Sequence, residues 1–169
     1  VTQALMNKYG WAHPQVAEKI ALSESILAQD ISAELRLQHG WTTLTFHHVA
    51  SNRAEVMQLA DAMLQQALSS HDSHTHVSAR LWLGLAHYSE GRFDHAEREL
   101  SAGIHDHDNN AHAGHAVRFG LDTLVWSRAA RALVRWGLGH EQLARDDARV
   151  AVARARQLAH APSLGMALL

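Results

Sequence analysis

The chain has 169 residues, with 15 Lys and Arg against 17 Asp and Glu, so its net charge of −2 gives no support to a strongly basic surface for nucleic acid or an anionic membrane. Few prolines and glycines among many alanines and leucines favour helix over strand. The lack of cysteine excludes disulfides, cysteine-ligated metals and thiol catalysis, and it is typical of the cytoplasm. The chain has no apolar run of ~18 residues for a membrane span and no signal peptide. Because no initiator methionine is present either, we expect a segment of a longer cytoplasmic protein.

Apolar residues recur at helical spacing in seven stripes that are separated by short polar breaks. The first predicted helix opens at Pro14, and Gly91 and Gly139 mark turns farther along the chain. The predicted helices cover residues 14–29, 32–50, 54–69, 75–89, 93–104, 115–136 and 141–160, and Pro162 opens an eighth that reaches residue 169. Residues 105–114, rich in Asp, Asn and His, are predicted to form an exposed loop. The pattern predicts an all-α fold.

Three sets of residues repeat with successive separations of 7, 5, 4 and 3 positions, which is typical of helical hairpins. They are Leu44, Ser51, Val56, Ala60 and Met63; Gly84, Gly91, Ala96, Leu100 and Gly103; and Ala132, Gly139, Ala144, Ala148 and Ala151. In each hairpin a small residue allows close helix approach and a glycine or serine makes the turn. The middle set, with Leu83 before Gly84, resembles the tetratricopeptide repeat. This resemblance implies a right-handed α-solenoid of about seven helices.

The predicted hairpins divide the chain into repeat units of one helical-repeat module that spans residues 1–169. The units cover residues 1–30, 31–70, 74–105, 112–160 and 162–169, of which the first and the last are partial. Partial terminal repeats expose apolar faces, so we also expect self-association through these uncapped ends.

Three stretches carry a closer family resemblance: LMNKYGWAHPQV at 5–16, RFGLD at 118–122, and GHEQLA at 139–144 through HAPSL at 160–164. They resemble the helical-repeat region C-terminal to the nucleotide-binding domain of large bacterial signalling ATPases. Those proteins carry a class III adenylate cyclase domain or a winged-helix transcription-regulator domain. The resemblance implies a protein–protein or ligand-sensing module whose partner is a peptide segment, another domain of the same chain or a small-molecule inducer.

Motifs for catalysis are missing from this sequence. No Gly-x-x-x-x-Gly-Lys-Ser/Thr loop is present, and His140-Glu141 lacks the second histidine of a zinc-protease helix because Ala144 stands there. Asp146 and Asp147, between two arginines, indicate a solvated helix face. We therefore expect a non-enzymatic protein that needs no cofactor.

Repeat solenoids bind partners along the face built by the first helix of each unit. The residues predicted to line such a groove for a ligand or peptide are Trp41, Thr45, His48, Leu81, Leu85, Tyr88, Trp126, Leu133 and Trp136. Plain core packing is the alternative for the apolar members. Nearby arginines would either assist an acidic ligand or only keep the surface soluble; these are Arg80, Arg118, Arg128, Arg131 and Arg135.

Histidine is unusually frequent, at 15 residues, and it concentrates in two breaks. The first break holds His71, His74 and His76 with Asp72, and the second holds His105, His107, His112 and His115 with Asp106 and Asp108. In a solenoid the two breaks are equivalent connections on one edge, where imidazoles could converge on zinc or nickel. The candidate ligands of this alternative, a metal-responsive sensor, are His71, His74, His76, His105 and His107. The other interpretation is that histidine is a tolerated loop residue that binds metal only adventitiously.

Overall fold

The computed structural model of the chain describes residues 13–27 and 32–169, and within these ranges every regular element is a helix. The all-α prediction is confirmed. The helices are α1 Pro14–Leu27, α2 Ala33–Val49, α3 Arg53–Ser70, α4 Ser73–Ser89, α5 Phe93–His105, α6 His115–Phe119, α7 Thr123–Gly137, α8 Glu141–Gln157 and α9 Ala161–Leu168. Among the described helices, none combines the length and apolar character needed to cross a bilayer.

The single helix predicted over 115–136 is wrong, because the chain breaks after Phe119. Gly120 adopts a left-handed conformation with φ of 74°, which ends α6 after one turn. Asp122 then caps the start of α7 by accepting a hydrogen bond from the Val125 amide at 2.9 Å. The break and the short last helix explain why the described residues form nine helices rather than about seven.

The repeat positions predicted to make turns do so. Ser51, Gly91 and Gly139 all have positive φ angles, of 61°, 73° and 81°, and each lies between two helices. The predicted close approach within a hairpin is also confirmed, because a Cβ atom on Gly84 would lie only 2.5 Å from Cγ of Leu100. Glycine is favoured at this position because the Leu100 side chain fills the space that a Cβ atom would occupy.

The chain divides into two compact units, which meet in sequence within α3 at Leu59 and Ala60. In the first unit, α1 packs against α2 through Val16 and Ile20, with Phe46 beside them. In the second unit, α4 packs against α5 and α7 packs against α8, so two helical hairpins form. They are joined by contacts of α7 with α4 and α5, and α9 packs against α7 and α8.

Asp147 on α8 corrects the prediction of a solvated Asp146 and Asp147 pair. Its side chain is only 3% exposed, and Arg128, Arg131 and Arg135 of α7 all bind it within 2.6–2.9 Å. Asp146 is 54% exposed, as the prediction requires. The prediction failed for Asp147 because its partners belong to a different helix and not to the flanking sequence.

Candidate functional site

An apolar pocket of about 410 Å³ lies between α4, α7, α8 and α9 in the second unit. Its wall contains two aromatic rings, Tyr88 and Trp126, together with small and aliphatic side chains. The lining residues are Leu85, Tyr88, Trp126, Ala129, Ala130, Ala132, Leu133, Ala148, Met166, Ala167, Leu168 and Leu169. Four residues of the predicted groove, Leu85, Tyr88, Trp126 and Leu133, therefore line a single pocket. Its volume falls in the range of small-molecule and side-chain pockets.

The other residues predicted for the groove lie elsewhere. Leu81 is buried in the core of the second unit, and Trp136 is exposed on α7 but does not line the pocket. In the first unit, Trp41 and Thr45 are buried, and the Thr45 hydroxyl donates a hydrogen bond to the Trp41 carbonyl at 2.8 Å. Half-buried His48 has a pKa below its usual value because of burial. Of the nine residues predicted to line the groove, the structure thus brings together only the four that line the pocket, two on α4 and two on α7.

Sequence reasoning missed a second buried ion pair, between Asp122 and Arg154. The Arg154 guanidinium donates to both carboxylate oxygens of Asp122, from Nε at 2.8 Å and from Nη2 at 3.0 Å. Burial by itself raises the pKa of Asp122, but the hydrogen bonds from Arg154 and Val125 hold it below its usual value. The Asp122 carboxylate is paired with arginine and stays ionised at neutral pH, which does not suit a proton donor in catalysis.

A cluster of histidines forms a second candidate site, at the start of α4 and α6. His74, His112 and His115 each place a ring nitrogen within 4.8 Å of the others. His112 and His115 are each 1% exposed, and His74 is half-buried. Nδ1 of His74 and Nε2 of His115 share a hydrogen bond of 2.9 Å, and Nδ1 of His115 is 2.7 Å from the Thr123 hydroxyl.

His107 packs against the same cluster. Its ring centroid is 4.8 Å from that of His112 and 6.1 Å from that of His115. Both of its ring nitrogens are buried, and neither has a hydrogen-bond partner. Burial, reinforced by the neighbouring imidazoles, lowers the pKa of His107 to about 4 and that of His115 to about 3. Both rings are therefore neutral at pH 7, the form that ligates metal ions.

We call His74, His107, His112 and His115 the histidine cluster. Of the five histidines predicted as metal ligands, the structure brings only His74 and His107 into it. His71 and His105 are exposed, and His76 faces Asp106, with 3.6 Å between Nδ1 and Oδ2. His74 and His76 diverge because residues two apart on a helix point in different directions.

The second break was predicted to be an exposed loop, which is wrong at His112. This side chain is buried against His74 and His115, and its Nδ1 accepts a hydrogen bond from the Asp108 amide at 3.0 Å. His112 and His115 belonged to the predicted break but not to the five candidate ligands. His112 and His115 are three positions apart next to the start of a helix, and this i, i+3 spacing was the sequence signal that would have identified them as ligands.

Comparison with known proteins finds no match to the chain, whether among protein-family models, curated proteins or solved structures.

Proposed function

We propose that the chain is a non-catalytic interaction module, a right-handed solenoid of tetratricopeptide-like hairpins in a cytoplasmic bacterial regulatory ATPase. The output domain of that protein would be a transcription regulator or an adenylate cyclase. The repeat turns at Ser51, Gly91 and Gly139 and the packing of two successive hairpins support the solenoid. The resemblance of the sequence to signalling ATPases supports the regulatory role. Arginine neutralisation of the buried carboxylates Asp122 and Asp147 supports a non-catalytic role.

The apolar pocket is the observation that carries the binding role. It has a cavity of about 410 Å³ and two aromatic rings, and four of its twelve lining residues were predicted to line a groove. Aromatic and aliphatic walls of this kind bind an anchoring apolar side chain well, since burial removes both surfaces from water.

A protein segment fits this surface better than a small molecule does. Leu133, at the pocket wall, is 50% exposed, and the exposed Trp136 follows three residues later on the same face of α7. Leu168 also lines the pocket and is exposed. The apolar surface therefore extends beyond the cavity, as expected for a helical or extended segment with two anchors. We propose that this segment belongs to another domain of the same full-length protein.

The experiment is a fluorescence-anisotropy titration with labelled amphipathic peptides that present leucine or phenylalanine at i and i+4. Leu133→Glu places a charge at the pocket wall, and we expect it to weaken binding at least about tenfold. Leu143→Glu is the matched control, because Leu143 is a helical leucine of α8 that is 48% exposed and does not line the pocket. We expect peptide affinity within about twofold of the unmodified chain for this control.

Equal effects of Leu133→Glu and Leu143→Glu, or no saturable binding of any peptide, would contradict the proposal. A small-molecule inducer would instead be indicated if an apolar dye bound in a manner sensitive to Leu133→Glu while all peptides failed to bind.

A further inference from the structure

The histidine cluster gathers four imidazoles from separate parts of the chain into one largely buried place. His74 comes from the first turn of α4, His107 and His112 from the connection after α5, and His115 from the first position of α6. The ring centroid of His112 lies 4.8–4.9 Å from the centroids of His74, His107 and His115. The centroids of His74 and His115 are 5.2 Å apart. Imidazole is a preferred ligand for zinc and related transition metals.

The spacing of the ring nitrogens is close to what a tetrahedral ion requires. Two nitrogens bound at ~2.1 Å to one tetrahedral zinc ion lie ~3.4 Å apart. The ligand atoms of His74, His112 and His115 already lie within 4.8 Å of one another, and one pair is separated by 2.9 Å. Binding one ion would require the more widely separated nitrogens to move closer together, from up to 4.8 Å to ~3.4 Å.

The outer nitrogen of His115 has a partner that suits metal binding, whereas the lone-pair nitrogen of His112 already accepts a backbone amide. Nδ1 of His115 contacts the Thr123 hydroxyl at 2.7 Å, so its Nε2 faces the cluster with a fixed ring orientation. A hydrogen bond on the outer nitrogen is the usual way in which proteins orient a metal-binding histidine. Nδ1 of His112 accepts the Asp108 amide, so its Nε2 carries the proton and donates to the Ser73 hydroxyl at 3.3 Å. Coordination through Nδ1 would replace the amide contact and keep Ser73 as the outer partner.

His107 supplies an independent observation that points to a ligand. Both of its ring nitrogens are buried without a hydrogen-bond partner, although a neutral imidazole carries one donor and one acceptor. A buried polar atom without a protein partner calls for an explanation, and a bound ion or water is one that proteins use. The ring centroid of His107 lies 4.8 Å from that of His112 and 6.1 Å from that of His115, which places a fourth imidazole at the edge of the group formed by His74, His112 and His115.

We propose that His74, His107, His112 and His115 form a zinc-binding site that connects the start of α4, the 106–114 connection and the α6–α7 segment. This site goes beyond the proposed pocket function and does not depend on it. It assigns metal binding to four particular histidines and excludes His71, His76 and His105.

The test is a titration of the chelator-treated protein with zinc chloride against a competing chromophoric chelator. We expect one tightly bound zinc ion per chain. His74→Gln and His107→Gln, which alter half-buried side chains, should each lower the affinity by about 100-fold or more. The matched controls His71→Gln and His105→Gln alter exposed histidines of the same two breaks and should change the affinity by less than about twofold.

A positioning variant tests the outer partner. Thr123→Val removes the hydroxyl that contacts His115 while keeping the side-chain shape, and we expect zinc affinity to fall by 10-fold or more, within the ~10–100-fold range of such contacts. Far-ultraviolet circular dichroism of every variant checks that the helices remain.

A readout on the unaltered chain keeps the test decisive if a variant does not fold. Side-chain nitrogen NMR should show zinc-dependent shifts at His74, His107, His112 and His115 and none at His71 or His105. Binding that His71→Gln and His105→Gln weaken as much as His74→Gln does, shifts spread over all histidines, or no zinc bound in the presence of the chelator would each overturn the proposal.

Discussion

Asp147 is the side chain whose removal we expect to destabilise the second unit most sharply. Four hydrogen bonds of 2.6–2.9 Å reach its carboxylate from Arg128, Arg131 and Arg135. These arginine side chains are only 24%, 11% and 16% exposed. Asp147→Ala would leave three partly buried positive charges side by side without their shared counter-ion.

The size of the effect follows from these contacts. Hydrogen bonds to charged groups contribute about 1.5–3 kcal/mol each, but the four bonds share two acceptor oxygens and are not additive. Arg131 also keeps its bond to the Ser101 hydroxyl at 3.0 Å, and Arg135 keeps its bond to Glu97 at 2.7 Å. We therefore expect a loss of about 4 kcal/mol, within the ~3–5 kcal/mol typical of a broken buried ion pair. With a urea m-value of about 2 kcal/mol per M, the unfolding midpoint falls by about 2 M.

Asp146→Ala is the matched control for this prediction. Asp146 is the preceding residue on α8, and its carboxylate is 3.6 Å from Arg149 at an exposed position. Exposed pairs of this kind contribute little, so the free energy of unfolding should change by less than about 0.5 kcal/mol. Urea denaturation followed by circular dichroism measures both variants. The reasoning is refuted if Asp147→Ala destabilises the protein no more than Asp146→Ala does.

Two further predictions concern the close contact of Gly84 with Leu100 and the buried carboxylate of Asp122. Gly84→Ala forces a Cβ atom to within 2.5 Å of Leu100, so thermal unfolding should show that the free energy of unfolding falls by about 1–3 kcal/mol. The control Gly165→Ala has open space around the new Cβ atom, so it should leave the free energy of unfolding unchanged or raise it. Because folding lowers the pKa of Asp122, this group contributes stability above about pH 4 that is lost as the pH falls further. The free energy of unfolding of Asp122→Asn should therefore depend less steeply on pH below 4 than that of the unmodified chain. An unchanged slope in acid unfolding would contradict this assignment.

The parts of the fold that sequence predicted correctly are those that depend on local chemistry. The helical stripes follow the 3.6-residue period, and the turn residues Ser51, Gly91 and Gly139 adopt the left-handed conformation that their repeat position requires. The break at Gly120 was also encoded locally, by a glycine followed two residues later by the capping Asp122. It was missed because apolar spacing continues across the break and outweighed these two signals.

The candidate sites depend on contacts that local patterns do not contain. His112 lies in a polar stretch that predicts an exposed loop, yet it packs against His74, which is far away in sequence. Asp147 has arginines nearby in sequence, but its partners are on α7, 12 to 19 residues earlier. In both cases tertiary packing, and not the neighbouring sequence, decides whether a polar side chain is buried.

Helix α7 connects the two proposed sites physically. Its first residue, Thr123, contacts His115 of the histidine cluster, and Trp126 and Leu133 farther along the helix line the apolar pocket. The Trp126 ring also meets Trp82 of α4 edge-on at 5.1 Å, and the arginine contacts to Asp147 fix α7 against α8. Because α7 is one continuous helix from Thr123 to Gly137, a displacement of Thr123 on metal binding would be carried to the pocket wall. If the two sites are coupled in this way, zinc and the partner segment must change each other's affinity by the same factor.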